Sequence, residues 1–228
     1  MQPCSVTLDV DWAPDAAIDD VASLLVEHGV RATWLVTHAS PAIDRLRERP
    51  DLFELGVHPN FLPGSTHGSD QASVLDHVLA LVPDARVMRT HALVQSAGLF
   101  RAVAENTPIE LDLSIYLPRA EHVAPVAYEY GEHTLTRLPY VWEDDSELLR
   151  REPRWDAASV VDLPGIKVFD FHPIHVHLNS PSLGPYERFK SEGGDAGDYR
   201  HEGDGVRTGF LELLERLEGG GAKASELV

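Results

Sequence analysis

The sequence contains few groups for covalent cross-links or for binding anions. Cys4 is the only cysteine among 228 residues, so one chain can form neither an internal disulfide nor a thiolate metal cluster. Lysine and arginine number 19 against 37 acidic residues, and the formal net charge is −18. Such a chain would repel nucleic acid and anionic membrane surfaces, so neither is expected as a partner. The acidity serves solubility, or part of it surrounds a bound cation.

Long hydrophobic segments are also missing. No stretch approaches the ~20 apolar residues of a membrane-spanning helix. The first residues have neither the basic region nor the apolar stretch of a signal peptide. These absences predict a soluble, cytoplasmic protein without a membrane span.

Short apolar strands alternate with amphipathic helices along most of the chain. Strands are predicted over 5–10, 31–36, 52–57, 86–89, 111–115, 135–139 and 167–171. A polar segment at about 180–205 is expected to be a mobile loop, followed by a C-terminal helix at about 206–218. The alternation predicts an α/β fold with a mainly parallel sheet. The length of 228 residues fits one domain covering residues 1–228.

The segment 169–177 carries three histidines, His172, His175 and His177, in an apolar run that continues the last predicted strand. Other polar residues also follow predicted strands. Chemistry in a barrel of parallel strands collects at the carboxyl ends of the strands, so a complete or deformed one-domain barrel is favoured over an open sheet. Imidazole moves protons near neutral pH and binds metals, which indicates an enzyme.

Two aspartates and two histidines indicate a metal site. Asp9 and Asp11 are two residues apart, so on a strand their carboxylates face the same side. An ordinary turn, with Asp11 or Asp15 capping the next helix, explains the pair equally well. His58 directly follows an apolar strand, and His67 lies in the loop beyond it. Asp11, His58 and His67 would suit zinc or a related metal and leave positions for water and substrate.

Arg89, Thr90 and His91 end the fourth predicted strand. The arginine either pairs with Asp9 or forms a surface ion pair of little energetic value. The acidic run 143–145, which follows Trp142, is on general grounds a solvated turn.

Four short motifs resemble those of the polysaccharide deacetylase family, also called the NodB-homology group or carbohydrate esterase family 4. They are Thr7–Asp11, Gly56–Pro59, Arg89–His91 and Phe171–Pro173, in that order. The segments 55–61, 142–145 and 169–175 resemble the branch named after WbmS, which is associated with bacterial surface-polysaccharide clusters. The resemblance spans about residues 5–178 and implies a single domain with a deformed (β/α) barrel of the NodB type.

The resemblance also implies a role for each matched residue. Asp9 would be the general base, and Asp11 and His58 would be metal ligands. His172 would be the general acid that protonates the departing amine. Arg89 would orient Asp9.

The chain departs from the family pattern in its second and third motifs. The family places a second histidine four residues after the first, but Leu62 stands there, so His67 is assigned as the third ligand. His91 replaces a residue that is usually proline. The family's fourth motif has no clear match in this chain, and Asp112 and Glu143 are the candidates for tuning Arg89 or His172. The residues expected to bind substrate are Trp12, Asn60, His91, Trp142 and His175, and Trp34 is a further aromatic side chain suited to stacking on a sugar.

The resemblance implies a metal-dependent hydrolase that removes an N-acetyl or N-formyl group from an amino sugar of a bacterial surface polysaccharide or its precursor. Zn²⁺ is the expected cofactor, and Co²⁺ and Fe²⁺ suit the same ligands. Two alternatives stay open. One is a non-catalytic carbohydrate-binding protein on a deacetylase scaffold, and the other is a different metal-dependent hydrolase of C–N amide bonds.

Overall fold

A nine-stranded sheet forms the centre of the protein. The computed structural model describes residues 3–228. In chain order the strands are β1 Cys4–Asp9, β2 Ala32–Val36, β3 Phe53–Val57, β4 Val87–Met88, β5 Leu111–Asp112, β6 Val126–Tyr130, β7 His133–Arg137, β8 Trp142–Glu143 and β9 Lys167–Phe171. Across the sheet they run β6-β7-β5-β4-β3-β2-β1-β9-β8. Every neighbouring pair is parallel except the hairpin β6–β7.

Helices connect most of the strands and cover the sheet. They are α1 Asp15–His28, α2 Pro41–Arg47, α3 Gln71–Leu81, α4 Ala97–Asn106, α5 Asp144–Leu148, α6 Ala157–Val160, α7 Pro173–Leu178, α8 Gly184–Glu192 and α9 Val206–Leu217. Side chains at the N-caps accept backbone hydrogen bonds in three of them: Ser40 before α2, Asp70 before α3 and Ser96 before α4. Helix α1 ends at Gly29, which adopts a left-handed conformation with φ 62°.

The sheet curls into a half-barrel, and backbone hydrogen bonds outside the regular strands close the remaining gap between its two sides. Tyr116, beyond β5, forms an isolated parallel bridge with Tyr140, just before β8. The Leu117 N–H donates to the Tyr140 carbonyl at 2.9 Å, and the Val141 N–H donates to the Val168 carbonyl at 2.9 Å. The short segment before β8 therefore joins the β5 side of the sheet to β9. The predicted deformed barrel is confirmed.

One connected hydrophobic core supports the sheet. Every residue of β1, β2 and β9 is buried. Within this core β3 and β4 approach closely at Gly56, where an added Cβ would lie 2.5 Å from the Val87 carbonyl oxygen. Only glycine fits there without displacing a strand.

The strand predicted to continue beyond 171 is wrong, because the chain forms helix α7 there. Pro173 occupies the first helical turn, where its missing N–H costs nothing. All six residues of the helix are buried. Ile174, Val176 and Leu178 alternate along the sequence, but a fully buried helix has no polar face, so this spacing does not distinguish it from a strand.

The segment 180–205 was predicted to be a loop, but it contains α8 and a 3₁₀ turn, Ala196–Tyr199. The carboxylate of Asp20 on α1 anchors this region. It accepts hydrogen bonds from Arg200 at 2.8 Å and Arg207 at 2.7 Å, and lies 2.7 Å from Nδ1 of His177. Burial favours the neutral acid, but His177 and the two arginines hold the pKa of Asp20 well below its usual value. Helix α9 follows directly.

None of the described helices combines the length and the apolar content that a bilayer span requires.

Candidate active site

A left-handed turn after β1 carries Asp11, the first candidate metal ligand. Asp11 and Trp12 have φ angles of 43° and 56°, and the Ala13 N–H donates to the Val10 carbonyl at 2.8 Å. The Trp12 N–H donates to Thr37 Oγ1, just beyond β2, at 3.1 Å. Because β2 lies between β1 and β3, this turn carries Asp11 toward the end of β3. If β1 continued as a straight strand, Asp11 would lie about 10 Å from the end of β3, because two strand spacings separate them.

Three side chains from three strand ends converge at this point. Nδ1 of His91 lies 3.0 Å from Asp11 Oδ1, and Nε2 of His58 lies 3.2 Å from the same oxygen. The two imidazole nitrogens are 3.3 Å apart. His58 is buried, whereas Asp11 and His91 keep about a fifth of their side chains exposed, at 21% and 24%. The triangle of Asp11, His58 and His91 is therefore covered by protein on the side of His58 and accessible to solvent on the side of Asp11 and His91.

The three donor atoms fit a divalent transition metal. Ligands at about 2.0–2.2 Å from zinc lie about 2.9–3.5 Å apart, for ligand angles between 90° and tetrahedral. All three edges of the Asp11–His58–His91 triangle fall in this range. Burial opposes ionisation of Asp11, but the hydrogen bonds from His58 and His91 hold its pKa well below the usual value. A carboxylate and two imidazoles are the donor set that zinc, cobalt and iron share.

His67, the predicted third ligand, lies outside this triangle in the structure. The Asn60 N–H donates to Nδ1 of His67 at 3.1 Å, and Nε2 lies 2.9 Å from the Thr37 carbonyl oxygen. Nε2 must therefore carry the proton, and both ring nitrogens are engaged. Burial and the neighbouring His77 lower the pKa of His67, which agrees with a neutral ring. His91, predicted to bind substrate, stands in its place.

Asp9 and Arg89 form a buried pair beneath the triangle. Arg89 Nη1 donates to Asp9 Oδ1 at 2.7 Å, which leaves Asp9 Oδ2 facing Nδ1 of His58 at 3.6 Å. The Arg89 guanidinium is 1% exposed and lies under the ring of Tyr140, 4.4 Å from its centroid. The alternative that Arg89 forms a weak surface ion pair is thus excluded by its burial.

The same arginine contacts a carboxylate that the sequence analysis did not single out. Nη1 of Arg89 also lies 2.5 Å from Asp170 Oδ1, and its Nη2 donates to Thr7 Oγ1 at 2.8 Å. Asp170 is the middle of strand β9, between Phe169 and Phe171. A single carboxylate inside an otherwise apolar strand is the signal that would have identified it.

His172 is held by Asp144, the first residue of α5. Nδ1 of His172 donates to Asp144 Oδ1 at 2.7 Å, and its backbone N–H donates to Oδ2 at 2.8 Å. Nε2 is directed toward Asp11 Oδ2, 3.7 Å away. Burial disfavours the imidazolium, but the charges of Asp145 and Asp144 raise the pKa of His172 well above its usual value. The His172 ring can therefore hold a proton on the nitrogen that faces the triangle.

Neither Asp112 nor Glu143 holds His172. Asp112 is fully buried and accepts a hydrogen bond from Arg137 Nε at 2.7 Å, on the β5–β7 side of the sheet. Glu143 accepts a hydrogen bond from the Tyr140 hydroxyl at 3.2 Å, and burial raises its pKa to about 7. The run 143–145 is not a solvated turn, because Asp144 is completely buried.

His175 lies beside His172 on α7. Its Nε2 is 3.2 Å from Asp145 Oδ1, and its Nδ1 is 3.1 Å from Ser180 Oγ. Burial opposes ionisation of Asp145, yet His172 and His175 lower its pKa to about 2. Asp145 is 43% exposed on its side chain, so this pair lies at the edge of the site.

The predicted substrate-binding aromatics divide into one exposed residue and two buried ones. Trp12 is 39% exposed, and its ring lies 5.3 Å from that of His67 and 5.5 Å from that of His91. Trp142 is 1% exposed and packs against Phe171, and Trp34 is wholly buried, so neither can stack on a sugar in this structure.

An open cavity of about 390 Å³ is lined by Trp12, Asn60 and the residues 62–66. The Asn60 side-chain oxygen accepts the Leu62 N–H at 2.9 Å, so it shapes the loop as well as lining the cavity. A second cavity of about 530 Å³ continues from the same loop along the residues after His91. The first cavity borders Trp12, the residue next to Asp11, and the two cavities share the lining residues Leu62, Pro63 and Gly64.

The arrangement matches one family of known proteins. The family model described as WbmS-like polysaccharide deacetylase matches residues 6–190. The solved structure of WbmS from Bordetella bronchiseptica, described as a candidate polysaccharide deacetylase involved in O-antigen biosynthesis, is 35% identical. The match covers 93% of this chain and 90% of that one, with a TM-score of 0.83. No curated protein matches the chain significantly.

Two more distant structures share the fold alone. The Xyl-CE4 domain of a multidomain xylanase, from the hindgut metagenome of Trinervitermes trinervoides, is 12% identical with a TM-score of 0.53, covering all of this chain and 90% of that one. The 4-alpha-glucanotransferase from Thermococcus litoralis is 11% identical with a TM-score of 0.54, covering all of this chain and 38% of that one. The family model and the 35% identical relative each span most of the sequence. The chain therefore belongs to the WbmS-like polysaccharide deacetylase family.

Proposed function

We propose that this protein is a metal-dependent deacylase that hydrolyses an N-acetyl or N-formyl group of an amino sugar. Its substrate would be a bacterial surface polysaccharide or a precursor of one, and the reaction would take place in the cytoplasm. The observation that carries the proposal is the triangle of Asp11, His58 and His91, with the carboxylate of Asp9 and the imidazole of His172 on either side of it.

Asp11, His58 and His91 would hold the metal. When bound, a divalent cation supplies Lewis acidity toward the acyl carbonyl and the attacking water. Zn²⁺ is the proposed ion, because the edges of the triangle fit its ligand distances, and Co²⁺ and Fe²⁺ accept the same donors.

Asp9 is the proposed general base. Its Oδ1 is occupied by Arg89, so Oδ2 is the oxygen free to accept a proton from water. The buried guanidinium fixes the position of the carboxylate, since separating the pair would leave a buried charge without a partner.

His172 is the proposed general acid. As water attacks, the C–N bond of the amide breaks, and the departing nitrogen needs a proton to leave as an amine. Nε2 of His172 donates that proton while Asp144 holds Nδ1 on the opposite side of the ring. The carboxylate of Asp144 stabilises the imidazolium before transfer and fixes its orientation.

The sugar would occupy the cavity beside Trp12, whose exposed ring offers an apolar face for stacking. Asn60 lies at the edge of the site and would contact sugar hydroxyls, whereas His175 is buried and would act only through Asp145, which its Nε2 approaches at 3.2 Å. The adjoining cavity of about 530 Å³ leaves room for a further part of the substrate, such as a carrier group or a second sugar.

Acyl release from defined substrates tests the proposal. Purified protein is stripped with a chelator, reloaded with Zn²⁺, Co²⁺ or Fe²⁺, and incubated with N-acetylated and N-formylated amino sugars, both free and nucleotide-linked. Liberated acetate, formate and free amine are then measured. We expect turnover that depends on added metal, and loss of turnover in Asp9→Asn and His172→Ala with metal content largely unchanged. His133→Ala, an exposed substitution on β7, is the matched control.

Two outcomes would contradict the proposal. Wild-type turnover in both Asp9→Asn and His172→Ala would remove the assigned acid and base. Protein that neither contains nor binds a divalent metal, but binds sugars, would favour the non-catalytic carbohydrate-binding alternative.

A further inference from the structure

One cation serves two carboxylates beneath the proposed metal site. Arg89 Nη1 contacts Asp9 Oδ1 at 2.7 Å and Asp170 Oδ1 at 2.5 Å. Asp170 is 0% exposed, Asp9 is 5% exposed and Arg89 is 1% exposed on their side chains. Asp170 Oδ2 is buried and has no hydrogen-bond partner among the described residues.

Two ionised carboxylates with one guanidinium would leave a net negative charge out of contact with water. A buried charge without its own partner is costly, and proteins usually avoid the cost by keeping the group neutral. Asp9 has a second neighbour with hydrogen-bonding capacity, Nδ1 of His58 at 3.6 Å, and it lies nearer the open side of the site. Among residues 3–228, Asp170 has hydrogen-bonding side-chain contacts only with Arg89 and Thr7. Of these two carboxyl groups, Asp170 is therefore the one expected to be protonated.

We propose that Asp170 is a positioning residue that stays uncharged, so that the positive charge of Arg89 serves Asp9 alone. As a neutral acid Asp170 still accepts a hydrogen bond from Arg89 and fixes the guanidinium. The catalytic part of this inference rests on the proposed function of Asp9 as a base.

The charged and titratable groups around Asp170 agree with this assignment. Arg89, directly after β4, and His172, directly after β9, favour its ionised form, whereas Asp9 on β1 and Glu143 on β8 disfavour it. Desolvation is the largest influence, and with the two carboxylates it raises the pKa of Asp170 well above its usual value. Glu143 is the direct cross-strand neighbour of Asp170 in the β8–β9 register, so two acidic groups share this face of the sheet.

The charge of Asp170 affects how firmly Arg89 holds Asp9, the proposed base. If Asp170 were ionised, it would compete for the charge of Arg89 and weaken the hold of the guanidinium on Asp9. With Asp170 neutral, Arg89 is anchored on three sides, by Asp170, by Thr7 and by the Tyr140 ring, and presents one N–H to Asp9. The Asp170 acid would thus set the geometry of Asp9 without touching the substrate.

Two substitutions separate a neutral acceptor from a charged one. Asp170→Asn preserves the size and the ability to accept from Arg89 without charge, whereas Asp170→Leu preserves the volume and removes the acceptor. We expect Asp170→Asn to keep kcat/KM within about threefold of wild type, with the acidic limb of the pH profile unmoved. We expect Asp170→Leu to lower kcat by about 30-fold or more with KM little changed, because Arg89 loses an anchor.

Infrared difference spectroscopy at neutral pH gives a readout that does not need activity. Wild type minus Asp170→Asn should contain the carbonyl band of a protonated carboxyl group, in metal-free and in zinc-loaded protein. Asp112→Asn is the matched control, because Asp112 is equally buried but has Arg137 to itself. That difference spectrum should show the loss of carboxylate bands only.

The proposal is overturned if Asp170→Asn loses as much activity as Asp170→Leu, or if it moves the acidic limb by about one pH unit. Absence of the protonated-carboxyl band from the Asp170→Asn difference spectrum would overturn it as well. The infrared comparison decides the state of Asp170 even if wild-type protein deacylates none of the amino sugars, so failure of this inference is distinguishable from failure of the proposed function.

Discussion

Replacing His91 by alanine should weaken metal binding far more than replacing His67 by alanine. His91 supplies one corner of the donor triangle, 3.0 Å from Asp11 and 3.3 Å from His58. His67 contacts the backbone of Thr37 and Asn60 instead. Replacing a residue that hydrogen-bonds to a metal ligand typically changes metal affinity by about 10–100-fold, and loss of a ligand should exceed this range.

We expect His91→Ala to be the more harmful of the two substitutions for zinc affinity, and His67→Ala to be the more harmful for the stability of metal-free protein. For His91→Ala we expect Zn²⁺ affinity to fall by at least about 100-fold, which corresponds to about 2.7 kcal/mol. For His67→Ala we expect less than about 10-fold, since the triangle stays complete. His67→Ala should nevertheless lower the free energy of unfolding of metal-free protein by about 1–3 kcal/mol, because the Thr37 carbonyl and the Asn60 N–H lose their partner. His91→Ala should lower that free energy by less than His67→Ala does, because Asp11 is partly exposed and keeps the hydrogen bond from His58.

Competition with a chromogenic chelator measures the affinity, and urea denaturation of metal-free protein measures the stability. His133→Ala on the exposed face of β7 is the control for removing a histidine. If His67→Ala weakened zinc binding as much as His91→Ala did, the ligand set would have to include His67, and the loop 60–67 would have to rearrange when metal binds.

Three further substitutions test other parts of the structure. Asp144→Asn should lower kcat by about 100-fold or more without loss of metal, because the amide stabilises the His172 imidazolium less well than a carboxylate; an unchanged kcat, with metal content measured by elemental analysis, would contradict this. Gly56→Ala should lower the free energy of unfolding by about 1–3 kcal/mol in urea denaturation, because the new Cβ meets the Val87 carbonyl oxygen; a neutral effect would show that β3 and β4 can separate. Asp20→Asn should cost about 1–2 kcal/mol at pH 7, an amount already discounted for solvent screening. The pKa of Asp20 is lower in the folded protein than in the unfolded chain. The stability that its carboxylate contributes is therefore fully present above the unfolded pKa of about 3.9 and is lost as the pH falls below that value. The stability difference between wild type and Asp20→Asn should therefore shrink between pH 5 and about pH 2, and a difference independent of pH would refute the assignment.

The strands were predictable because each is a short apolar run bounded by turn residues. The predicted range 167–171 coincides with β9, and the predictions for β1, β2 and β3 differ from the structure by one residue at most at each end. Strand β6 was not predicted, because four of its five residues are exposed and their pattern is not that of a core strand. Helix α7 was mistaken for a strand because its burial on all sides removes the helical periodicity.

The candidate site was only partly predictable, since its contacts join distant parts of the chain. Asp11 and His58 were identified from their positions after strands, and they do lie together. The third ligand was sought in the same loop as His58, where the family pattern places it. The sequence does not reveal that β3 and β4 are neighbours, and that neighbourhood is what brings His91 to His58.

Backbone strain on both sides of the triangle indicates that its geometry serves a function. Asp11 and Trp12 are left-handed after β1, and Ala92 and Leu93 are left-handed, with φ of 52° each, directly after His91. Such conformations in residues other than glycine cost about 1 kcal/mol or more each and persist only when the surrounding structure enforces them. Regular continuation of β1 would avoid the first pair, but it would leave Asp11 on the far side of β2 from His58. The fold therefore accepts a loss of stability at the two turns that bring Asp11 and His91 to His58.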